Sequence, residues 1–98
     1  MRDICYEVHY RYYQYNSGMA DNGEYDNIVE RDTYAEAIVI KSQINYCIEI
    51  NNKRKWGHPL TEAMEALEKD IVDNFISYGG YFISCKLMEV ERKEIVPI

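Results

Sequence analysis

The chain predicts a small α+β domain, a three-stranded antiparallel sheet with two helices packed on one face in the order β-β-α-α-β. Stretches near both ends alternate apolar and polar residues with the period of a half-buried strand, and two central stretches space their apolar residues by three and four, as amphipathic helices do. Between them fall segments rich in glycine, asparagine and proline. Ninety-eight residues suffice for one core and leave none for a second, so residues 1–98 read as a single domain.

The first strand runs from Ile4 to Tyr12, with Ile4, Tyr6, Val8, Tyr10 and Tyr12 on one face and Cys5, Glu7, His9 and Arg11 on the other. The alternation slips at Tyr12-Tyr13, which a bulge or an extension past the core would produce. Residues 16–24 read as a long hairpin loop, followed by a second strand from Tyr25 to Arg31. Thr33 and Glu36 form a capping box for a helix reaching about Lys53. Its expected buried face is Tyr34, Ala37, Ile38, Ile44, Cys47 and Ile48, flanked by Ile40, which leaves Val39, Tyr46 and Ile50 as a second apolar stripe in need of cover. Gly57 and Pro59 break that helix. A second helix follows from Leu60 to about Tyr78, burying Leu60, Ala63, Met64, Leu67, Ile71 and Phe75, with Glu62, Glu65, Glu68, Lys69 and Asp73 outside. Gly79-Gly80 stops it, and the last strand, Tyr81 to Arg92, sets Tyr81, Ile83, Cys85 and Leu87 against Ser84 and Lys86, slipping at Leu87-Met88.

Charge separates the candidate partners. Eleven basic against seventeen acidic residues leave a net −6, which repels nucleic acid and anionic membrane surfaces and favours a larger protein with a basic surface. The excess is local: Asp21, Glu24, Asp26, Glu30, Asp32 and Glu36, offset by Arg31, carry −5 of it. The simpler alternative is a solvated loop and helix start. The EF-hand spacing is absent, so calcium is not expected. Glu62, Glu65 and Asp73 on the second helix make a further acidic surface whose i, i+3 rows could mimic phosphates, although Glu65 with Lys69 is also what a solvated helix face shows.

Cys5, Cys47 and Cys85 are scattered, without the spacing of a zinc or redox site. Together with the absence of an apolar leader-like stretch, they lead to an expected cytoplasmic location, and no apolar run is long enough to cross a bilayer. His9 and His58 lack a nucleophile at a recognisable spacing, and no carboxylate is marked as dry, so neither enzymatic activity nor a cofactor is expected. Tyr10, Tyr12, Tyr13 and Tyr15 could stack bases or, more simply, fill a core, with Tyr13 and Tyr15 left as a protein-binding patch if the strand outruns its core. Trp56, within Lys53-Arg54-Lys55-Trp56-Gly57-His58, either folds back over the core or anchors an interface.

In its size, its acidity and its lack of a catalytic motif the chain resembles small phage-encoded inhibitors of host defence, anti-CRISPR and anti-restriction proteins among them. The resemblance implies a non-enzymatic inhibitor, a DNA mimic that occludes the basic groove of a nucleic-acid-binding effector. The expected interface is Asp21, Glu24, Asp26, Glu30 and Asp32, with Glu62, Glu65 and Asp73 as a second surface and Tyr13, Tyr15 or Trp56 as aromatic anchors. The alternative is a small nucleic-acid- or nucleotide-binding module built on the strand tyrosines and the Lys53–His58 turn. A homodimer covering the second apolar stripe is compatible with either.

Overall fold

The computed structural model describes residues 3–15 and 23–92. The elements run β1 (Asp3–Gln14), β2 (Gly23–Arg31), α1 (Tyr34–Lys55), α2 (Glu62–Phe75) and β3 (Gly80–Arg92), the β-β-α-α-β order that the residue pattern predicts. The strands form one antiparallel sheet, β2-β1-β3, with the most regular strand in the middle and an edge on either side. Most of the hairpin loop expected over 16–24 lies outside the described residues.

Even-numbered β1 residues face the helices. Val8 and Tyr10 are buried there with Ala37, Ile40, Ile44 and Cys47 of α1, Ile71 of α2, Ile76 and Phe82. Tyr10 meets the rings of Phe75 and Phe82 edge-on, both at 5.7 Å, which is the offset geometry aromatic quadrupoles favour. Its hydroxyl accepts from the Asn27 amide at 2.8 Å. Burial pushes the pKa of that phenol up by more than the Asn27 bond lowers it.

The slip expected at Tyr12-Tyr13 is not in β1, which pairs with β2 residue for residue through both tyrosines; the irregularity lies in β3. Arg11 pairs with Ser84 but Tyr12 pairs with Phe82, so Ile83 is an extra residue on β3. The bulge returns Phe82 to the helix side along with Cys85 and Leu87, while Tyr81 falls on the opposite face. The expected grouping of Tyr81 and Ile83 with Cys85 is therefore corrected, and the pairing passes without irregularity through Leu87-Met88.

Both helix starts are capped by threonine. Thr33 Oγ1 accepts from the Glu36 N–H at 3.2 Å and donates to Glu36 Oε1 at 2.9 Å, so the carboxylate holds the capping hydroxyl. Thr61 Oγ1 accepts from the Met64 N–H at 3.2 Å, which starts α2 later than Leu60. At the end of α1, His58 N–H bonds Lys53 O and Gly57 N–H bonds Arg54 O, a Schellman closure with Gly57 in the left-handed region at φ 71°.

The buried face of α1 differs from the expected one. Ala37, Ile40, Ile44, Cys47 and Ile50 are buried, Ile38 and Ile48 are half-buried and Tyr34 is exposed, while Val39 is exposed on the side where it was expected. α2 covers part of the second stripe: Tyr46 hydroxyl reaches Met64 O at 3.5 Å, and Cys47 Sγ lies 3.8 Å from Glu68 O. α2 is turned relative to its apolar pattern, leaving Leu67 exposed and Glu68 inward. Arg54 draws it there, with Nη2 to Oε1 at 2.6 Å and Nη1 to Oε2 at 3.3 Å, a two-point bridge between the helices. No described helix is long and apolar enough to cross a membrane.

The candidate partner interface

Because strand side chains alternate, the face turned away from the helices follows from the register, and it is open except at Cys5, which is buried. The uncovered face carries Glu7, His9, Arg11 and Tyr13 from β1, Glu24, Asp26, Ile28 and Glu30 from β2, and Tyr81, Ser84, Lys86 and Met88 from β3. Three of the sequence-expected carboxylates thus stand on one face of one edge strand, and all three residues are exposed. Side chains two residues apart on a strand are about 6.8 Å apart, so Glu24 and Asp26 are neighbours and Glu30 stands one step beyond Ile28.

The surroundings of these carboxylates are not uniformly acidic. Asp26 lies opposite Arg11 in the register, and Arg11 Nη2 is 3.0 Å from Glu24 Oε2. Glu30 lies opposite Glu7, whose Oε1 is 2.9 Å from His9 Nε2. His9, Arg11, Asp26, Ile28, Ser84 and Lys86 border an open hollow of about 610 Å³ on this face. At the hairpin end, Tyr13 stacks on Tyr81 at 5.3 Å with 13° between the rings and meets Tyr15 edge-on at 6.0 Å. The four-tyrosine platform expected from the sequence is divided by the sheet: Tyr10 and Tyr12 face the helices, and Tyr13 reaches the uncovered side with Tyr15 beside it.

The remaining expected residues lie elsewhere. Asp32 is exposed in the bend before α1, and Asp21 lies outside the described residues. Glu62 and Glu65 are exposed in the first turn of α2, where they favour the positive helix end. Asp73 accepts from Lys69 at 2.8 Å, so Lys69 pairs forward with Asp73 rather than back with Glu65. The two acidic sets thus stand on different layers, Glu62, Glu65 and Asp73 on α2 and Glu24, Asp26 and Glu30 on β2. Trp56 closes α1 as its C-cap residue and is 81% exposed, so it does not fold over the core.

Thiol chemistry is muted. Burial and the nearby Glu68 push the Cys47 thiol up to about 12, and burial raises Cys85 as well, so both are protonated near neutral pH. Among the described residues no group of histidine, cysteine and carboxylate side chains is arranged to hold a metal ion. Ile28, Tyr81 and Met88 join the uncovered face without having been expected there, while Glu7 and Lys86 stand where strand alternation puts them. Alternation alone signals Glu7, but Tyr81 could not be placed without the bulge at Ile83. The chain matches no family model, and comparison with curated proteins and with solved structures found no match either.

Proposed function

We propose that this protein is a non-enzymatic interaction module that presents the uncovered face of its sheet, β2 foremost, to a basic surface of a larger protein and keeps nucleic acid off that surface. The observation that carries the reading is the row of Glu24, Asp26 and Glu30 on one exposed face of an edge strand. Exposed carboxylates at this spacing attract a cationic groove at long range and repel nucleic acid itself. Tyr13 and Tyr81 at the end of the same face, with Tyr15 edge-on to Tyr13 beyond the strand end, offer aromatic area to hold a complex once formed. This mode of action is the one implied by the resemblance to small phage-encoded inhibitors of host defence. The nucleic-acid-binding alternative loses support, since two of its four stacking tyrosines face the core.

The test is capture from a native host lysate with the wild-type chain and with a variant combining Asp26→Lys and Glu30→Lys. The expected result is a basic, nucleic-acid-binding protein retained by the wild type, displaced by a competing oligonucleotide and lost from the variant. Equal retention by both, or indifference to the oligonucleotide, would overturn the proposal.

A further inference from the structure

β2 is an edge strand, bonded on one side to β1 and exposed along its length except at Gly23 and Val29, which are half-buried. Two side-chain bonds reveal which way its backbone points. Ile28 N–H donates to Asn27 Oδ1 at 2.9 Å, and Glu30 O accepts from Arg31 Nη1 at 2.8 Å. Both groups therefore face away from β1. In an antiparallel ladder a residue points its N–H and its C=O to the same side, and the side alternates along the strand. Glu24 and Asp26 share the phase of Ile28 and Glu30, so their N–H and C=O also face outward. The residues that offer the outward ladder are thus the ones whose side chains stand on the uncovered face.

From this coincidence we infer that β2 is a docking edge, to which an extended cationic segment of the partner adds as a fourth, antiparallel strand. The inference rests on the reading that the partner is basic, and it names how the basic segment is held. Main-chain bonds to the outward groups of β2 supply the attachment, and the side chains opposite select the sequence. Opposite-charge pairs directly across strands are favourable and like-charge pairs are not. Reading the partner from its N-terminus, a cation faces Glu30, an apolar residue faces Ile28, and cations face Asp26 and Glu24, with one residue between each. The incoming strand displaces the Asn27 and Arg31 side chains from the two groups they cover. A second copy of this chain is the rival occupant, and the same carboxylates disfavour it: a two-fold axis at Ile28 would set Asp26 against Glu30. Acidic edges that repel their own copies are a known defence against edge-to-edge aggregation.

The test uses the full chain and the peptide Lys-Thr-Val-Thr-Lys-Thr-Lys, which carries the deduced pattern. A block peptide of identical composition, Lys-Lys-Lys-Thr-Thr-Thr-Val, and an N-methylated form of the patterned peptide that cannot complete the ladder are the controls. Binding is measured by calorimetry at low ionic strength, and amide exchange is followed residue by residue. The patterned peptide is expected to bind more tightly than either control and to slow exchange at Glu24, Asp26 and Ile28. Two variants separate ladder from charge. Asp26→Asn and Asp26→Pro both lose the carboxylate, but only the proline loses the outward N–H while sparing the bonds to β1. Asp26→Pro is expected to weaken binding about five-fold or more beyond Asp26→Asn.

Equal binding of all three peptides, equal loss in the two variants, or unchanged exchange at saturation would overturn the docking edge. So would slowed exchange at these amides without peptide in a chain that sediments as a dimer. None of those outcomes touches the broader reading, which fails if charge reversal leaves the native partner bound or if a competing oligonucleotide does not displace it.

Discussion

The two edges of this sheet share a central strand and have little else in common. β3 carries Phe82, Cys85 and Leu87 against the helical layer, and α1 packs chiefly along it. β2 sends Tyr25, Asn27, Val29 and Arg31 to the same side, where Val29 packs against the core while Asn27 bonds the Tyr10 hydroxyl and Tyr25 stacks on Tyr12 from the edge. The sequences of the strands already contain the difference, because β3 places apolar side chains where α1 lies and β2 places an amide and a cation among its helix-side positions. A three-stranded sheet under two helices thus becomes asymmetric: one edge is bound into the core, and the other is held by its ladder to β1 and remains available to a partner.

Truncating a side chain on each edge gives the largest test of that contrast. Phe82 is 2% exposed and touches Tyr10 and Phe75, so Phe82→Ala should cost about 3–5 kcal/mol in urea unfolding. Ile28 is 51% exposed, and Ile28→Ala should change stability by less than about 0.5 kcal/mol. Comparable losses would show that β2 is part of the core after all. Next in size is Gly80→Ala at the start of β3. Gly80 has φ 154°, and a β-carbon there would fall 1.9 Å from the Tyr13 carbonyl oxygen, so the first turn must separate from β1. The expected cost is about 1–3 kcal/mol, and an unchanged midpoint would mean that the close approach is not needed.

Much of this asymmetry was legible in the residues, and what was missed has a physical explanation. The period of β1, the Thr33–Glu36 cap and the antiparallel three-stranded arrangement all follow from local pattern, and local pattern survives folding. The rotation of α2 does not, because Leu67 and Glu68 compete for the inner position and a distant cation, Arg54, decides between them. The phase of β3 depends on one unpaired residue, Ile83, which exists only as a mismatch between two strands. For the candidate interface, the acidic run was readable as a run. Its division, with Glu24, Asp26 and Glu30 on one face of β2 and Asp32 beyond the strand, required the register.

The core side of the comparison can also be probed by pH. Cys47 is raised to about 12 in the folded chain from an ordinary value near 9, so the fold favours the neutral thiol. That contribution is fully present below pH 9 and is lost as pH rises from there towards 12. The loss follows about 1.4 kcal/mol per pH unit within that window. At pH 10 the wild type should therefore have lost about 1.4 kcal/mol more, relative to pH 8, than Cys47→Ala loses over the same interval. Identical losses would place the thiol in a wetter site than its contacts indicate.

The smallest effects belong to the open edge, and their signs are set by the register. Asp26 lies opposite Arg11, so Asp26→Lys replaces an attraction with a repulsion and should destabilise by about 0.2–1 kcal/mol. Glu30 lies opposite Glu7, so Glu30→Lys relieves a like-charge pair and should stabilise by a similar amount. The double variant should then unfold close to the wild-type midpoint, because the two changes offset. Urea midpoints for the three variants check this directly. If both single changes destabilise, the carboxylates hold the fold and their loss cannot be read as loss of a surface. If the signs oppose, natural selection for stability alone does not account for Glu30 facing Glu7, and a variant that folds normally but no longer retains a basic partner isolates charge as the cause.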